Sequence, residues 1–140
     1  MKRIACLMLS FIITIGASVS AYAAQPTDEA EPQSLYSSKP TVTFSISANG
    51  TAYLKITCRG TNDVTKITSK TCIDKKVGTK WVRVNVGTSD NYLYRTANSS
   101  TLIASHAVSL PGSGSYRCIT TFTLYAKTSE PITLIKYAEY

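Results

Sequence analysis

The sequence predicts an all-β protein, an antiparallel β-sandwich of about seven strands, in the part of the chain that follows residue 40. Short runs rich in Thr, Val and Ile alternate there with Gly, Asn, Ser and Pro. Turns at roughly every 8–12 residues are typical of sandwiches. No helical period of useful length follows residue 23. The predicted strands are residues 41–48, 51–59, 64–74, 80–86, 102–110, 115–126 and 131–137, with a short edge strand at 92–94.

Residues 1–23 have the three parts of a secretory signal peptide. Lys2 and Arg3 give a positive start, an apolar run covers residues 4–17, and small residues form a cleavage site that ends at Ala23. The apolar run is shorter than the ~20 residues that a membrane-spanning helix needs, so we expect cleavage and no membrane span in the mature chain. The protein would then be secreted, either released outside the cell or associated with the cell wall.

Residues 24–40 are rich in Ser, Pro, Gln and acidic residues, which predicts a disordered lead-in. Residues 41–140 then form one β-sandwich domain, long enough to bury a modest core. This domain carries twelve Lys and Arg against five Asp and Glu, so its formal charge is +7. Such a domain is attracted to anionic wall polymers, glycans or lipid headgroups; the alternative is a solvated surface that only keeps the protein soluble.

The first two strands form the clearest predicted hairpin. Asn49 and Gly50 lie between them, and this dipeptide favours a two-residue type I′ turn. Alternation then places Cys58 on the apolar face of the second strand, and in the third strand Cys72 falls on the face that carries Lys66. Val77-Gly78-Thr79 and Pro111-Gly112-Ser113-Gly114 are the later turns that the composition predicts.

Tyr116-Arg117-Cys118 resembles the end of an immunoglobulin-type domain, in which a tyrosine stands two residues before the second cysteine of the inter-sheet pair. The resemblance implies an immunoglobulin-like sandwich. Trp81 departs from the pattern, because it comes one strand later than the expected tryptophan. Cys58 and Cys118 both fall on apolar faces, so we predict that they form a disulfide.

Cys72 is then a free thiol among lysines, and nearby cations lower the pKa of a thiol and raise its reactivity. Two alternatives stay open, an inert half-buried thiol and a bridge from Cys72 to Cys58. The three cysteines and the single histidine fit no zinc pattern.

Four strings of the chain carry a second resemblance. They are Thr65-Lys66-Ile67, Ile73-Asp74-Lys75-Lys76, Gly78-Thr79-Lys80-Trp81-Val82-Arg83-Val84 and Tyr116-Arg117. These strings are similar to a family of small secreted proteins of Gram-positive bacteria. That family is classed as a domain of unknown function, and the resemblance implies a secreted β-sandwich without supplying an activity.

An enzyme is not predicted. His106 falls on the apolar face of its strand, where a structural histidine with a local hydrogen bond is the expected role. The carboxylates Asp63, Asp74, Asp90 and Glu130 are scattered, whereas a glycosidase needs two acids across a cleft. The sequence therefore predicts no catalytic residue, no metal site and no cofactor.

The sequence favours a non-catalytic binding module at the cell surface or in the medium. The alternative is a secreted basic antagonist, a toxin-like or inhibitor protein that acts on another cell or protein. The expected partner is an anionic wall polymer, a glycan or a protein, with no nucleic acid, and the expected state is a monomer. Tyrosines beside cations, such as Tyr53, Tyr92 and Tyr94, either stack on a ligand or make ordinary cross-strand pairs. The candidate binding residues are Lys55, Arg59, Lys66, Lys70, Lys75 and Lys76.

Overall fold

The computed structural model describes residues 34–37 and 39–140, so the predicted signal peptide lies outside the described residues. Eight strands make up this part of the chain. They are β1 (Thr41–Ile46), β2 (Thr51–Arg59), β3 (Lys66–Val77), β4 (Lys80–Arg83), β5 (Leu93–Ala97), β6 (Thr101–Ser109), β7 (Ser115–Tyr125) and β8 (Ser129–Glu139). Within these residues no helix is long and apolar enough to cross a membrane.

The strands form two antiparallel sheets, a small one with the order β1-β2-β6 and a large one with the order β4-β3-β7-β8. The twelve-residue β3 pairs with β5 along its first half and with β4 along its second half, so both short strands share one edge. The antiparallel β-sandwich is thereby confirmed, with eight strands.

The core lies between the sheets and follows the alternation that the sequence predicts. β2 and β7 each bury every second side chain, because successive side chains of a strand point to opposite faces. The largest fully buried apolar side chains are Tyr116, Phe122, Leu54, Ile56, Ile67, Ile73 and Leu124. A buried polar pair also joins the central strands, since the hydroxyls of Thr71 and Thr120 are 2.9 Å apart.

Tyr116 makes the contact that its place before Cys118 suggests. The ring is fully buried, and its hydroxyl donates a hydrogen bond to the backbone carbonyl of Gly112 in the turn before β7. This contact has the geometry known as a tyrosine corner. Trp81, in contrast, lies on edge strand β4 with only part of its surface covered, outside the core.

The turn between β1 and β2 differs from the predicted type I′ geometry. Gly50 has a φ of 79°, but Asn49 is not among the residues with positive φ, as a type I′ turn requires. The connection instead spans residues 47–50, and the Ser47 N–H donates to the Thr51 carbonyl at 3.0 Å. The hairpin is present with a longer loop, because the side-chain oxygen of Asn49 accepts the Thr51 N–H at 3.2 Å and stabilises the wider turn.

Part of the predicted lead-in contacts the domain. Glu130 accepts a hydrogen bond from the Ser34 hydroxyl at 2.8 Å and from the backbone N–H groups of Leu35 and Tyr36 at 3.2 Å. Ser37 forms a backbone bridge with Gly60. The end of the lead-in is therefore attached to the sandwich beside the last strand, and Glu130 has a structural role.

Candidate ligand-binding face

The outward face of the large sheet gathers cations and aromatic rings from all five of its strands. In β3 the outward positions begin with Lys66 and continue at every second residue to Lys76. The register places Arg117 beside Asp74 on one side and Arg83 beside it on the other. Residues from β4, β3 and β7 thus form one row across the sheet, although they are far apart in the sequence.

Asp74 is the centre of this row, and its residue is only 3% exposed. One carboxylate oxygen accepts the Arg83 Nε–H at 2.6 Å, and the other accepts from Arg117 Nε at 3.0 Å and contacts Arg117 Nη2 at 2.9 Å. One buried negative charge therefore holds two partly exposed positive charges. Burial alone would lower the pKa of Arg83, but its hydrogen bonds to Asp74 and Tyr92 raise that pKa above its ordinary value.

The first aromatic group of this face consists of Trp81 and Tyr137, whose ring centroids are 6.0 Å apart at an angle of 51°. The guanidinium carbon of Arg117 is 4.7 Å from the centroid of the Trp81 ring. The Lys76 amine lies 6.0 Å from the same indole. Each ring is partly exposed, so the group offers a fixed aromatic surface with cations at its margin.

The second aromatic group is formed by Tyr92 and Tyr94, whose ring centroids are 6.2 Å apart. The Lys70 amine lies 3.9 Å from the Tyr92 centroid, and the Arg83 guanidinium lies 4.5 Å from it. Tyr94 donates its hydroxyl hydrogen to Asp90, and this bond lowers the pKa of the carboxyl. We refer to the two aromatic groups and the Asp74 row together as the cation–aromatic face.

A groove of about 440 Å³ extends from the second aromatic group along the same sheet. It contains hydroxyl and cationic side chains, and a volume in this range accommodates small ligands. The residues that line it are Thr68, Ser69, Lys70, Tyr94, Arg95, Thr96, Thr121 and Thr123.

The six candidate binding residues do not form a single patch. Lys66, Lys70 and Lys76 take outward positions on the large sheet, whereas Lys55 and Arg59 lie on the small sheet. Lys75 is directed toward the turn before β7, where its amine donates to the Pro111 carbonyl at 2.7 Å. The sequence reasoning missed Arg83, Arg117 and Trp81, and their alternation on outward strand positions was the signal that could have found them.

Cys72 lies on the lysine-bearing face of β3 as the alternation predicts, but it is only 3% exposed. Burial raises the pKa of its thiol, and the lowering effects of Arg83, Arg117 and Lys70 are smaller. The structure therefore differs from the expected low-pKa, accessible thiol. Cys72 lies opposite Ile119 of β7 in the register, and this neighbour from a distant part of the sequence is not revealed by the local lysines.

Cys58, Cys72 and Cys118 are all free and buried, which differs from the predicted Cys58–Cys118 disulfide. Gly114 exchanges backbone hydrogen bonds with Tyr140, and Gly50 lies against the Tyr140 ring, so β2 and β7 start at the same end of the sandwich. Cys118 is the fourth residue of β7 and Cys58 is the eighth of β2.

That difference in position separates the two cysteines along the strands. Four residues of strand correspond to about 13 Å, well beyond the roughly 7 Å between Cα atoms that a disulfide spans. Burial raises the pKa of Cys58, and it raises that of Cys118 to about 12. Both behave as buried apolar side chains of the core.

His106 points to the inward face of β6 and is half-buried. Its Nε2 atom has no hydrogen-bond partner, which differs from the expected local bond, and burial followed by the nearby Arg95 lowers its pKa. Within residues 34–37 and 39–140, no group of three His, Cys, Asp or Glu side chains is arranged to hold a metal ion. No family model and no curated protein matches the chain.

Proposed function

We propose that the protein is a secreted, non-catalytic binding module that recognises an anionic glycan or wall polymer at the cell surface or in the medium. The observation that carries this proposal is the cation–aromatic face, in which two partly exposed aromatic groups are each flanked by cations. The face is held in place by Asp74, which pairs with both arginines.

Charge on this face supports an anionic ligand. The outward positions of β3, β4, β7 and β8 carry five Lys and Arg against Asp74 and Glu139. Asp74 is already paired with two guanidinium groups, so the row keeps a net positive charge. A surface with this balance attracts carboxylate and phosphate groups, and the attraction weakens as salt screens it.

The aromatic groups support a ligand with ring faces. Trp81 and Tyr137 on one side and Tyr92 and Tyr94 on the other are tilted pairs. Pyranose rings pack on such surfaces through their apolar C–H faces, while the threonine hydroxyls of the adjoining groove can bind sugar hydroxyls. A polymer of acidic sugars satisfies both the charge and the shape of this face.

Polygalacturonate and its methyl ester are matched probes, because they share a backbone and differ in charge. We expect calorimetry to detect binding of the free acid at low salt and a steep loss by about 0.3 M salt. The K70Q/K76Q double variant should bind about tenfold more weakly. The matched control K55Q on the small sheet should bind as the unchanged protein does. Equal affinity for the ester, or an equal loss in K55Q, would overturn the proposal.

The secretion part of the proposal has a separate test. We expect the protein recovered from culture medium to begin at Ala24 or Gln25, because the predicted cleavage site ends at Ala23. N-terminal sequencing measures this directly. Recovered protein that retains Lys2 and Arg3 would contradict it.

A further inference from the structure

β6 is an edge strand whose outer side pairs with no other strand in the described part of the chain. It has nine residues, and none of them is Lys, Arg, Asp, Glu, Pro or Gly. Proteins usually protect edge strands by shortness, charge or proline, and an unprotected edge is a template for strand pairing. β6 therefore has the features of a strand that pairs with another chain.

The other edges of the sandwich are protected. β1 lies against β8 where the two sheets approach each other, and β8 contains Pro131. β4 and β5 have only four and five residues and carry Lys80, Arg83 and Arg95. β6 lies near β5 and β3 but pairs with neither, and it lacks the Lys, Arg and Pro residues of the edge strands β4, β5 and β8.

The backbone groups that point to this edge can be assigned. The Leu110 N–H donates to the Gly50 carbonyl and the Ser100 carbonyl accepts from the Gly60 N–H, so the backbone N–H and C=O groups of the even-numbered residues point toward β2. The backbone N–H and C=O groups of the odd-numbered residues then point to the free edge of the sheet. The Ser99 hydroxyl already binds both backbone groups of Thr101. The open part of the edge therefore runs from Ile103 to Ser109.

We propose that β6 pairs antiparallel with β6 of a second copy of this chain, about a twofold axis at Ser105. Ile103 would then lie opposite Ala107 of the second copy, a large side chain beside a small one. On the inward face Leu102 would lie opposite Val108, so buried positions would meet buried positions. The two small sheets would become one six-stranded sheet, as an isologous dimer requires.

The uncharged β6 edge is compatible with a second uncharged edge, and the overall charge of the chain predicts the salt dependence of the pairing. The chain carries a formal charge of +7, so two copies repel each other, while the β6 edge itself has no Lys, Arg, Asp or Glu. Salt screens the overall repulsion and leaves backbone hydrogen bonds and the Ile103 contact largely unaffected. Dimer formation should therefore strengthen with salt, whereas binding of an anionic polymer should weaken. Ile103, 58% exposed in the single chain, would be partly covered in the dimer.

Two substitutions at Ser105 test the pairing in different ways. Ser105→Pro removes an N–H that points to the free edge, and proline is tolerated at such positions of edge strands. Ser105→Lys places two like charges directly opposite each other at the twofold axis. The control is Ser45→Lys, which adds the same charge to an exposed position on β1 of the same sheet.

Sedimentation velocity of the full protein, from about 1 µM to about 500 µM, measures the monomer–dimer equilibrium. We expect a dimer whose Kd falls as salt rises from about 20 mM to about 300 mM. Both Ser105 variants should raise the Kd at least about tenfold. Ser105→Pro should keep the melting temperature of the unchanged protein at low concentration, whereas Ser105→Lys should lower it slightly, because Lys55 lies opposite residue 105 in the same chain. A monomer at every concentration, or a dimer that survives both Ser105 variants, would overturn the proposal.

Discussion

Arg117 packs its guanidinium group 4.7 Å from the centroid of the Trp81 ring while the same group binds the buried carboxylate of Asp74. The stack and the ion pair share one side chain, so each restricts the other. An arginine held in this way loses little conformational freedom when a ligand arrives, which reduces the cost of binding. The same arrangement makes Asp74 a structural requirement of the surface.

Asp74→Ala should lower the free energy of unfolding by about 2 kcal/mol, because two guanidinium groups would face each other without the carboxylate between them. The partial exposure of both arginines keeps the loss below that of a fully buried pair. Urea unfolding, followed by the fluorescence of the single tryptophan Trp81, measures it. The control Asp63→Ala changes an exposed carboxylate, and equal midpoints for the two variants would contradict the prediction.

The strand pattern could be predicted from the sequence because alternation is a local property. Residues 51–59 are predicted and observed as the same strand, and Cys72 is on the face that its neighbours indicate. Pro131 shows the limit of local rules. The sequence predicts that the last strand begins at Pro131, but Pro131 lies inside β8, since an edge strand tolerates a missing N–H.

The relations between distant strands could not be predicted in the same way. The faces of Cys58 and Cys118 follow from alternation, but their levels along the sandwich depend on where β2 and β7 start in space. Asp74 stands beside lysines in the sequence, whereas its partners Arg83 and Arg117 come from β4 and β7. Register between strands, which the sequence does not state, decides both cases.

The three cysteines should resist alkylation in the folded protein and react after denaturation. Each is buried, and burial raises the pKa of each thiol. Alkylation at about pH 8, with and without urea, followed by peptide mapping, measures the reaction at each cysteine. Reaction of Cys72 in the folded protein, or recovery of any bridged pair, would contradict the expectation.

Tyr116→Phe should destabilise the fold by about 1 kcal/mol, because the Gly112 carbonyl loses its donor and the aromatic ring stays in the core. Tyr53→Phe is the control, since Tyr53 is half-exposed on the outward face of β2. Urea unfolding gives the free energy of unfolding of the two variants. Their difference distinguishes the loss of the Tyr116–Gly112 hydrogen bond from the general effect of removing a tyrosine hydroxyl. A loss of equal size in both would contradict a special role for Tyr116.

His106 should make the stability fall as the pH is lowered. Burial, followed by Arg95, lowers the pKa of His106 in the folded state, so the unfolded chain, whose histidine pKa is about 6.5, binds the proton more strongly. The contribution is fully present above about pH 6.5 and is lost as the pH falls through the folded pKa, with a slope of at most about 1.4 kcal/mol per pH unit for one proton.

Urea midpoints between about pH 8 and about pH 5.5 measure this slope, because the carboxylates titrate mostly below that range. Protein at about 1 µM keeps the measurement on the single chain. His106→Gln is the matched control, since it keeps a polar side chain of similar length and cannot titrate, and we expect its stability to be nearly flat in this window. His106 is the only histidine of the chain, so a slope that persists in His106→Gln would show that another group causes it.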